Sequence, residues 1–195
     1  MTGRGDEAAV VVVPYDPTWP AQFLQERALL EDLLAAWLVG PIEHIGSTAI
    51  PGMLAKPVID LMAPVGDLDT SRPAIAVVEA AGYAYFPYRA ESMHWFCKPS
   101  AAFRTHHLHL VPRSSRLWRE GLAFRDQLRA DPLLTAEYAA LKVRLARQHP
   151  RDREAYTDGK APFVRRVLAV ALPPGAGDTP GSADPGRRRY DGPGA

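Results

Sequence analysis

His44-Ile45-Gly46-Ser47-Thr48-Ala49-Ile50-Pro51-Gly52, followed by Lys56-Pro57-Val58-Ile59-Asp60-Leu61-Met62, is the stretch on which the fold turns. Ile42–Ile45 predicts a strand that runs into a Gly-Ser corner, and Pro57–Ala63 predicts a second strand after a Pro- and Gly-rich loop. Glycine lacks the Cβ that would keep the backbone away from a bound oxyanion. The Ser47 and Thr48 hydroxyls and the neighbouring N–H groups can donate to phosphate oxygens. Lys56 adds a positive charge on a mobile stem. Twelve residues separate Ser47 from Asp60, which places a carboxylate inside the second apolar strand. Residues 60 and 62 share a strand face by the period of two. Position 62 is methionine, a poor ligand for a hard cation, so this strand alone does not build the two-carboxylate clamp of a two-metal site.

The chain around this stretch has 195 residues, with 23 Lys+Arg, 22 Asp+Glu and 47% hydrophobic residues. That length and balance suit one soluble core. A net charge of +1 gives no bulk attraction to nucleic acid, and a nucleic-acid partner is not expected. Such a role would rest on one basic face made by Arg113, Arg116, Arg119 and Arg125. The single cysteine, Cys97, excludes an internal disulfide and a multi-thiolate zinc site. No apolar run approaches the ~20 residues of a membrane span. The acidic start MTGRGDEAA lacks the basic flank of a signal peptide, so a cytoplasmic location is expected.

Residues 1–8 read as a flexible leader. Residues 173–195, with five prolines and six glycines, read as a disordered Pro/Gly-rich tail that buries too little surface to offset its ordering entropy. One domain over 9–172 remains. Val10–Pro14 reads as a short strand. Trp19 and Pro20 open a helix whose stripe Phe23, Leu30, Leu33, Leu34 and Trp37 faces the core. Ser71 is placed to cap a helix over Pro73–Ala81 that Gly82 ends. Three strands follow, Tyr83–Tyr88, His94–Lys98 and Thr105–Val111. Ser114 or Ser115 caps a helix over Leu117–Arg129, and Asp131-Pro132 caps one that runs to about His149. A last helical segment, Asp152–Leu172, is interrupted at Gly159–Pro162. The pattern is an α+β domain, a mixed sheet backed by helices.

Thr105-His106-His107-Leu108-His109 puts His107 and His109 on one strand face and His106 on the other. Imidazoles at i and i+2 can converge on one metal ion. They can equally be partly buried strand residues hydrogen-bonded to backbone or hydroxyls. His44, just before the Gly46 turn, reads as structural rather than ligating.

Gly-Ser followed by an aspartate in an apolar strand is similar to the motif of the polymerase-beta-like nucleotidyltransferases. Val12-Pro14-Tyr15-Asp16-Pro17-Trp19-Pro20-Phe23, the 44–60 stretch, Arg104-Thr105-His106-His107-Leu108-His109, Phe124-Arg125-Asp126, Tyr138-Ala139-Ala140-Leu141-Lys142 and Tyr156 through Lys160 to Phe163 together resemble the GrpB family. The resemblance implies a polymerase-beta-like nucleotidyltransferase fold, its mixed sheet flanked by helices and extended by C-terminal ones. It also implies a nucleotide or coenzyme-like partner, since some relatives resemble a domain fused to dephospho-coenzyme A kinase. On that footing Asp60 is the catalytic carboxylate. Gly46, Ser47, Thr48, Lys56, Lys142 and Lys160 are the phosphate-binding set. Asp60, His107 and His109 are the candidate ligands of a divalent metal, magnesium or manganese before zinc. Two activities are compatible with this set: transfer of a nucleoside monophosphate, or nucleotide binding without chemistry.

Overall fold

A computed structural model describes residues 9–173. Its centre is a five-stranded mixed sheet in the order β1-β2-β5-β4-β3. The strands are β1 (Glu43–Ile45), β2 (Ile59–Val65), β3 (Ala84–Phe86), β4 (His94–Pro99) and β5 (Arg104–Pro112). Only β2 and β5 run parallel; β1–β2, β3–β4 and β4–β5 are antiparallel. A parallel pair needs a long crossover, and here the chain between β2 and β5 supplies a helix and the β3–β4 hairpin.

The two faces of the sheet differ in kind. Ile59, Leu61, Ala63 and Val65 of β2, Leu108 and Leu110 of β5 and Phe96 of β4 form one face, sealed by Trp19, Phe23, Leu30 and Leu34 and by Ala74 and Val78. The first four come from helix α1 (Trp19–Leu33) and the turn after it, the last two from α2 (Ala74–Ala80). α1 starts where the sequence predicts: Thr18 donates its N–H and hydroxyl to Asp16 at 2.8 and 2.7 Å, and Pro20 occupies the first turn.

The opposite face carries Asp60, Met62, His107, His109 and Trp95. It is covered at one end by α3 (Arg116–Ala130), whose Trp118 packs with Met62, Met93 and Val111. α3, α4 (Pro132–Gln148), α5 (Arg153–Asp158) and α6 (Ala161–Ala171) make a helical half around Ile50, Met53, Leu128, Tyr138, Phe163 and Val167. The expected caps form: Ser115 Oγ accepts from the Trp118 N–H, and the Asp131 carboxylate accepts from the N–H groups of Leu133 and Leu134. The break near Gly159 separates α5 from α6.

Three local expectations differ from the structure. Val10–Pro14 is not a strand: Val13 makes a single bridge to Ala55, while Val10 packs on Leu145 and Tyr156. Ser71 does not cap α2, because its hydroxyl donates to the Asp67 carbonyl at 2.7 Å and Pro73 occupies the cap position. The second strand begins at Ile59 rather than Pro57, since Pro57 has no N–H to give a ladder and Val58 N–H turns back to the Lys56 carbonyl. The leader 1–8 and the residues of the tail beyond 173 lie outside the described residues.

Candidate functional site

β1 is antiparallel to β2, with Ile45 opposite Asp60, so the chain leaving β1 must pass the aspartate side chain. Gly46 does so at φ 71°, a left-handed conformation that side-chain-bearing residues seldom adopt. A Cβ there would lie 2.3 Å from Asp60 Oδ2. The sequence-predicted meeting of the Gly-Ser corner and Asp60 is therefore a contact. The corner is held in place by α3: Arg125 donates to the Glu43 carboxylate at 2.6 Å and to the His44 carbonyl at 3.1 Å, and Arg129 donates to the Ala49 carbonyl at 2.9 Å. Arg125 is thus an inward clamp, and the basic face that would have included it is not formed by that residue.

On the other side of Asp60, the parallel register pairs it with His107 and pairs Met62 with His109. His107 Nδ1 lies 2.8 Å from Asp60 Oδ1, and His109 Nε2 lies 3.9 Å from the same oxygen. One ligand atom from each of the three residues lies within 4.8 Å of the other two. Burial raises the Asp60 pKa, but the His107 ring bonded to it and the His109 ring beside it more than offset this. Its carboxyl is held well below the usual carboxylate range. Asp60 is therefore an anion at neutral pH. Trp95 stands against His107 at 5.1 Å between ring centroids, and Arg104 lies over the Trp95 ring at 5.3 Å.

A second group of charges lies next to this one. Lys56 Nζ and Lys160 Nζ sit 4.4 and 4.5 Å from the centroid of the same ring, that of buried Tyr156. Among the described residues neither lysine forms an ion pair with a carboxylate. Burial pushes Lys56 down to about 8, helped by the neighbouring charges of Lys160, Arg153 and Arg104 and opposed by Asp60. Burial also lowers Lys160, against the pull of Asp60. Both cations thus feel Asp60 without touching it. Two partly desolvated ammonium groups beside one ring, with no carboxylate partner among the described residues, can attract an anion.

The remaining predicted residues are placed differently. Lys142 is 2% exposed; its ammonium donates to the Leu54 carbonyl and lies 5.0 Å from the Tyr138 ring centroid. It holds the loop before Lys56, and burial with the nearby Lys160 charge pushes it down to about 7. Thr48 is turned inward: its hydroxyl donates to the Val58 carbonyl at 3.1 Å and accepts from His44 Nε2 at 3.0 Å. Its hydroxyl is engaged by these two partners. His44 stacks on Phe23 and is pushed down to about 4 by burial, so it is a neutral structural ring, as its place in the sequence suggests. Ser47 is half-buried at the corner, and among the described residues its hydroxyl makes no hydrogen bond.

Met62, where a second acid would stand, is buried against α3 so tightly that a Cβ on Gly121 would come within 3.0 Å of its methyl group. Sequence reasoning missed Tyr156, Trp95 and Met93 as site residues. The spacing of Tyr156 and Lys160, four apart, was the available signal for the first; the other two depend on β4 lying beside β5. An apolar groove of about 500 Å³ is lined among others by Tyr15, Met53, Leu54 and Ala139.

Residues 9–169 match the family model described as GrpB protein. A UPF0157 protein of Pseudomonas aeruginosa is 40% identical over 174 residues, covering 87% of this chain and 70% of the relative. The glutamate-rich protein GrpB of Alkalihalophilus pseudofirmus is 34% identical, covering 84% of this chain and 96% of the relative. The crystal structure of conserved protein GrpB from Enterococcus faecalis superposes with a TM-score of 0.76 at 31% identity, over 83% of this chain and 97% of that one. A dephospho-CoA kinase of Mycolicibacterium paratuberculosis matches at 27% identity, with 45% of its length covered. Among the described residues, no helix is long and apolar enough to cross a membrane.

Proposed function

The chain belongs to the GrpB family, and we propose that it is a nucleotidyltransferase-like protein that binds the phosphates of a nucleotide or coenzyme. In this reading it moves a nucleoside monophosphate with the help of a divalent metal at Asp60. The observation that carries the reading is the pairing of Asp60, pressed against Gly46, with the unpaired Lys56 and Lys160 beside it. An anionic site for a cation next to a cationic site for an anion suits a metal-bound phosphate chain. The likeness to part of a dephospho-CoA kinase supports a nucleotide-related ligand.

Within this reading each residue has a task. Asp60 and His109 would hold the metal, which supplies Lewis-acid polarisation of a phosphoryl oxygen, and His107 would steady the carboxylate through its Nδ1–H. Gly46 leaves room for a phosphate to approach the corner, and Ser47 offers a free hydroxyl to it. Lys56 and Lys160 neutralise the outer phosphates, and Lys142 keeps the Leu54 loop that carries Lys56 in position. In transfer, an acceptor hydroxyl attacks the α-phosphorus and gives up its proton to water, the bond to the bridging oxygen breaks, and pyrophosphate leaves with that bond's electron pair.

A second reading, binding without transfer, is favoured by Met62: only one carboxylate of this strand face reaches the site. Calorimetry and thermal shift with nucleoside triphosphates and coenzyme precursors, with and without divalent ions, test the binding common to both. A ligand that binds the native state raises its stability; no shift with any of them overturns the proposal. Pyrophosphate release from a bound triphosphate then separates transfer from binding alone.

A further inference from the structure

The two ring nitrogens that face away from hydrogen-bond partners identify the kind of cation. Asp60 is ionised, so it only accepts, and His107 Nδ1, 2.8 Å away, must be the donor. That leaves His107 Nε2 as a lone pair. A thioether also only accepts, so the 3.4 Å contact between His109 Nδ1 and Met93 Sδ puts the His109 proton on Nδ1. His109 Nε2 is then a lone pair too, and it looks at Asp60 Oδ1 across 3.9 Å. Both Nε2 atoms are buried and without any partner in the protein.

Two electron-rich atoms facing each other in a buried place are repulsive, and buried polar atoms are rarely left unsatisfied. A cation between them removes the conflict, and bonds of ~2.0–2.2 Å to one first-row ion can span this gap. From this geometry we infer that Asp60 Oδ1 and His109 Nε2, with His107 holding the carboxylate through its Nδ1–H, form a site for a first-row transition-metal ion such as zinc, manganese or cobalt that discriminates against magnesium. Magnesium seeks oxygen ligands and gives up its water reluctantly; imidazole nitrogen favours the transition ions. Met93 fixes the tautomer that presents the Nε2 lone pair, acting on the metal through His109.

This choice of metal rests on the site proposed above, but metal alone suffices to test it. The full chain, stripped with a chelator, is titrated with zinc, manganese, cobalt(II) and magnesium chlorides by calorimetry, and cobalt loading is followed by visible absorption. One ion per chain is expected, with zinc and cobalt bound at least tenfold tighter than magnesium. Cobalt should show the ligand-field bands of mixed nitrogen and oxygen coordination. His109→Gln and Asp60→Asn should each weaken cobalt binding at least tenfold and weaken these bands. His44→Gln, which alters an imidazole outside the cluster, should leave the bands in place. Equal or tighter magnesium binding overturns the inference, and so does cobalt binding unaffected by His109→Gln and Asp60→Asn in variants that keep wild-type circular dichroism. Tight zinc or cobalt binding with no nucleotide response sinks the functional reading alone; nucleotide binding that magnesium supports and zinc, manganese and cobalt do not improve sinks the metal assignment alone.

Discussion

Gly46 and Asp60 are in contact across the β1–β2 pair: a Cβ on the glycine would fall 2.3 Å from the aspartate Oδ2. The contact sets two demands on position 46, a φ of 71° and the absence of a side chain. Gly52 shares the first demand without the second, since at φ 75° nothing lies within 4 Å of the point a Cβ would occupy. The two glycines therefore separate backbone strain from site geometry.

Gly46→Ala and Gly52→Ala should each destabilise the fold by about 1–3 kcal/mol, the cost of a left-handed conformation on alanine. Only Gly46→Ala should also displace the Asp60 carboxylate and weaken cobalt(II) binding tenfold or more. Urea unfolding and calorimetry on both variants check this. Metal binding in Gly46→Ala equal to that in Gly52→Ala would show that the glycine serves the turn and not the site.

Lys56 and Lys160 both lie against the Tyr156 ring and, among the described residues, have no carboxylate to answer them. Lys56→Met and Lys160→Met should each lower affinity for inorganic pyrophosphate or triphosphate about tenfold, while the melting temperature holds or rises. Removing a desolvated, unpaired cation costs the native state nothing in ion pairing. The affinity of the wild type should fall steeply with added salt. Affinities within twofold of wild type in both variants would end the case for anion binding by this pair.

Thr48 separates a structural from a binding reading of the Gly-Ser-Thr motif. Its hydroxyl joins His44 Nε2 to the Val58 carbonyl, so Thr48→Val leaves two buried groups without partners. A loss of about 1–3 kcal/mol is expected, with pyrophosphate affinity unchanged. A stable Thr48→Val protein with lost affinity would return the residue to the phosphate site.

Where the sequence was readable, the signal was local. The Thr18-Trp19-Pro20 start of α1, the Ser115 and Asp131 caps and the break at Gly159 are each decided within a few residues, and they form as read. The two-residue period put His107 and His109 together, and the motif placed Asp60 beside Gly46. What stayed hidden depends on partners far along the chain. Nothing near Thr48 says that its hydroxyl is consumed by Val58, ten residues on. Lys142 stands in the phosphate-binding set that the resemblance implies, and nothing near it in sequence says that α4 turns it onto Leu54, 88 residues away. Met93 gains meaning only when β4 is laid along β5. Val10–Pro14 has a strand's composition, yet only Val13 pairs, in a single bridge to Ala55 outside the sheet.

Lys142 also gives the fold a pH dependence whose sign is fixed. Burial, with the Lys160 charge behind it, lowers its pKa from 10.5 in an open chain to about 7 in the native protein. Between those values the unfolded chain holds the proton more tightly than the folded one. Stability therefore rises with pH across that window, by at most ~1.4 kcal/mol per unit from this group. Below about 7 both states are protonated and the native state bears the full cost of a buried ammonium. Lys142→Met removes the titration and keeps the stem's apolar packing. The stability of the wild type relative to this variant, from urea unfolding at pH 6.5, 8 and 9.5, should climb across the series, more steeply from 8 to 9.5 than from 6.5 to 8. Lys56, also lowered, titrates in both proteins and drops out of the difference. Parallel profiles across the series would mean that the Leu54 carbonyl and the Tyr138 ring hold the ammonium charged in the folded state, with a pKa no lower than in an open chain.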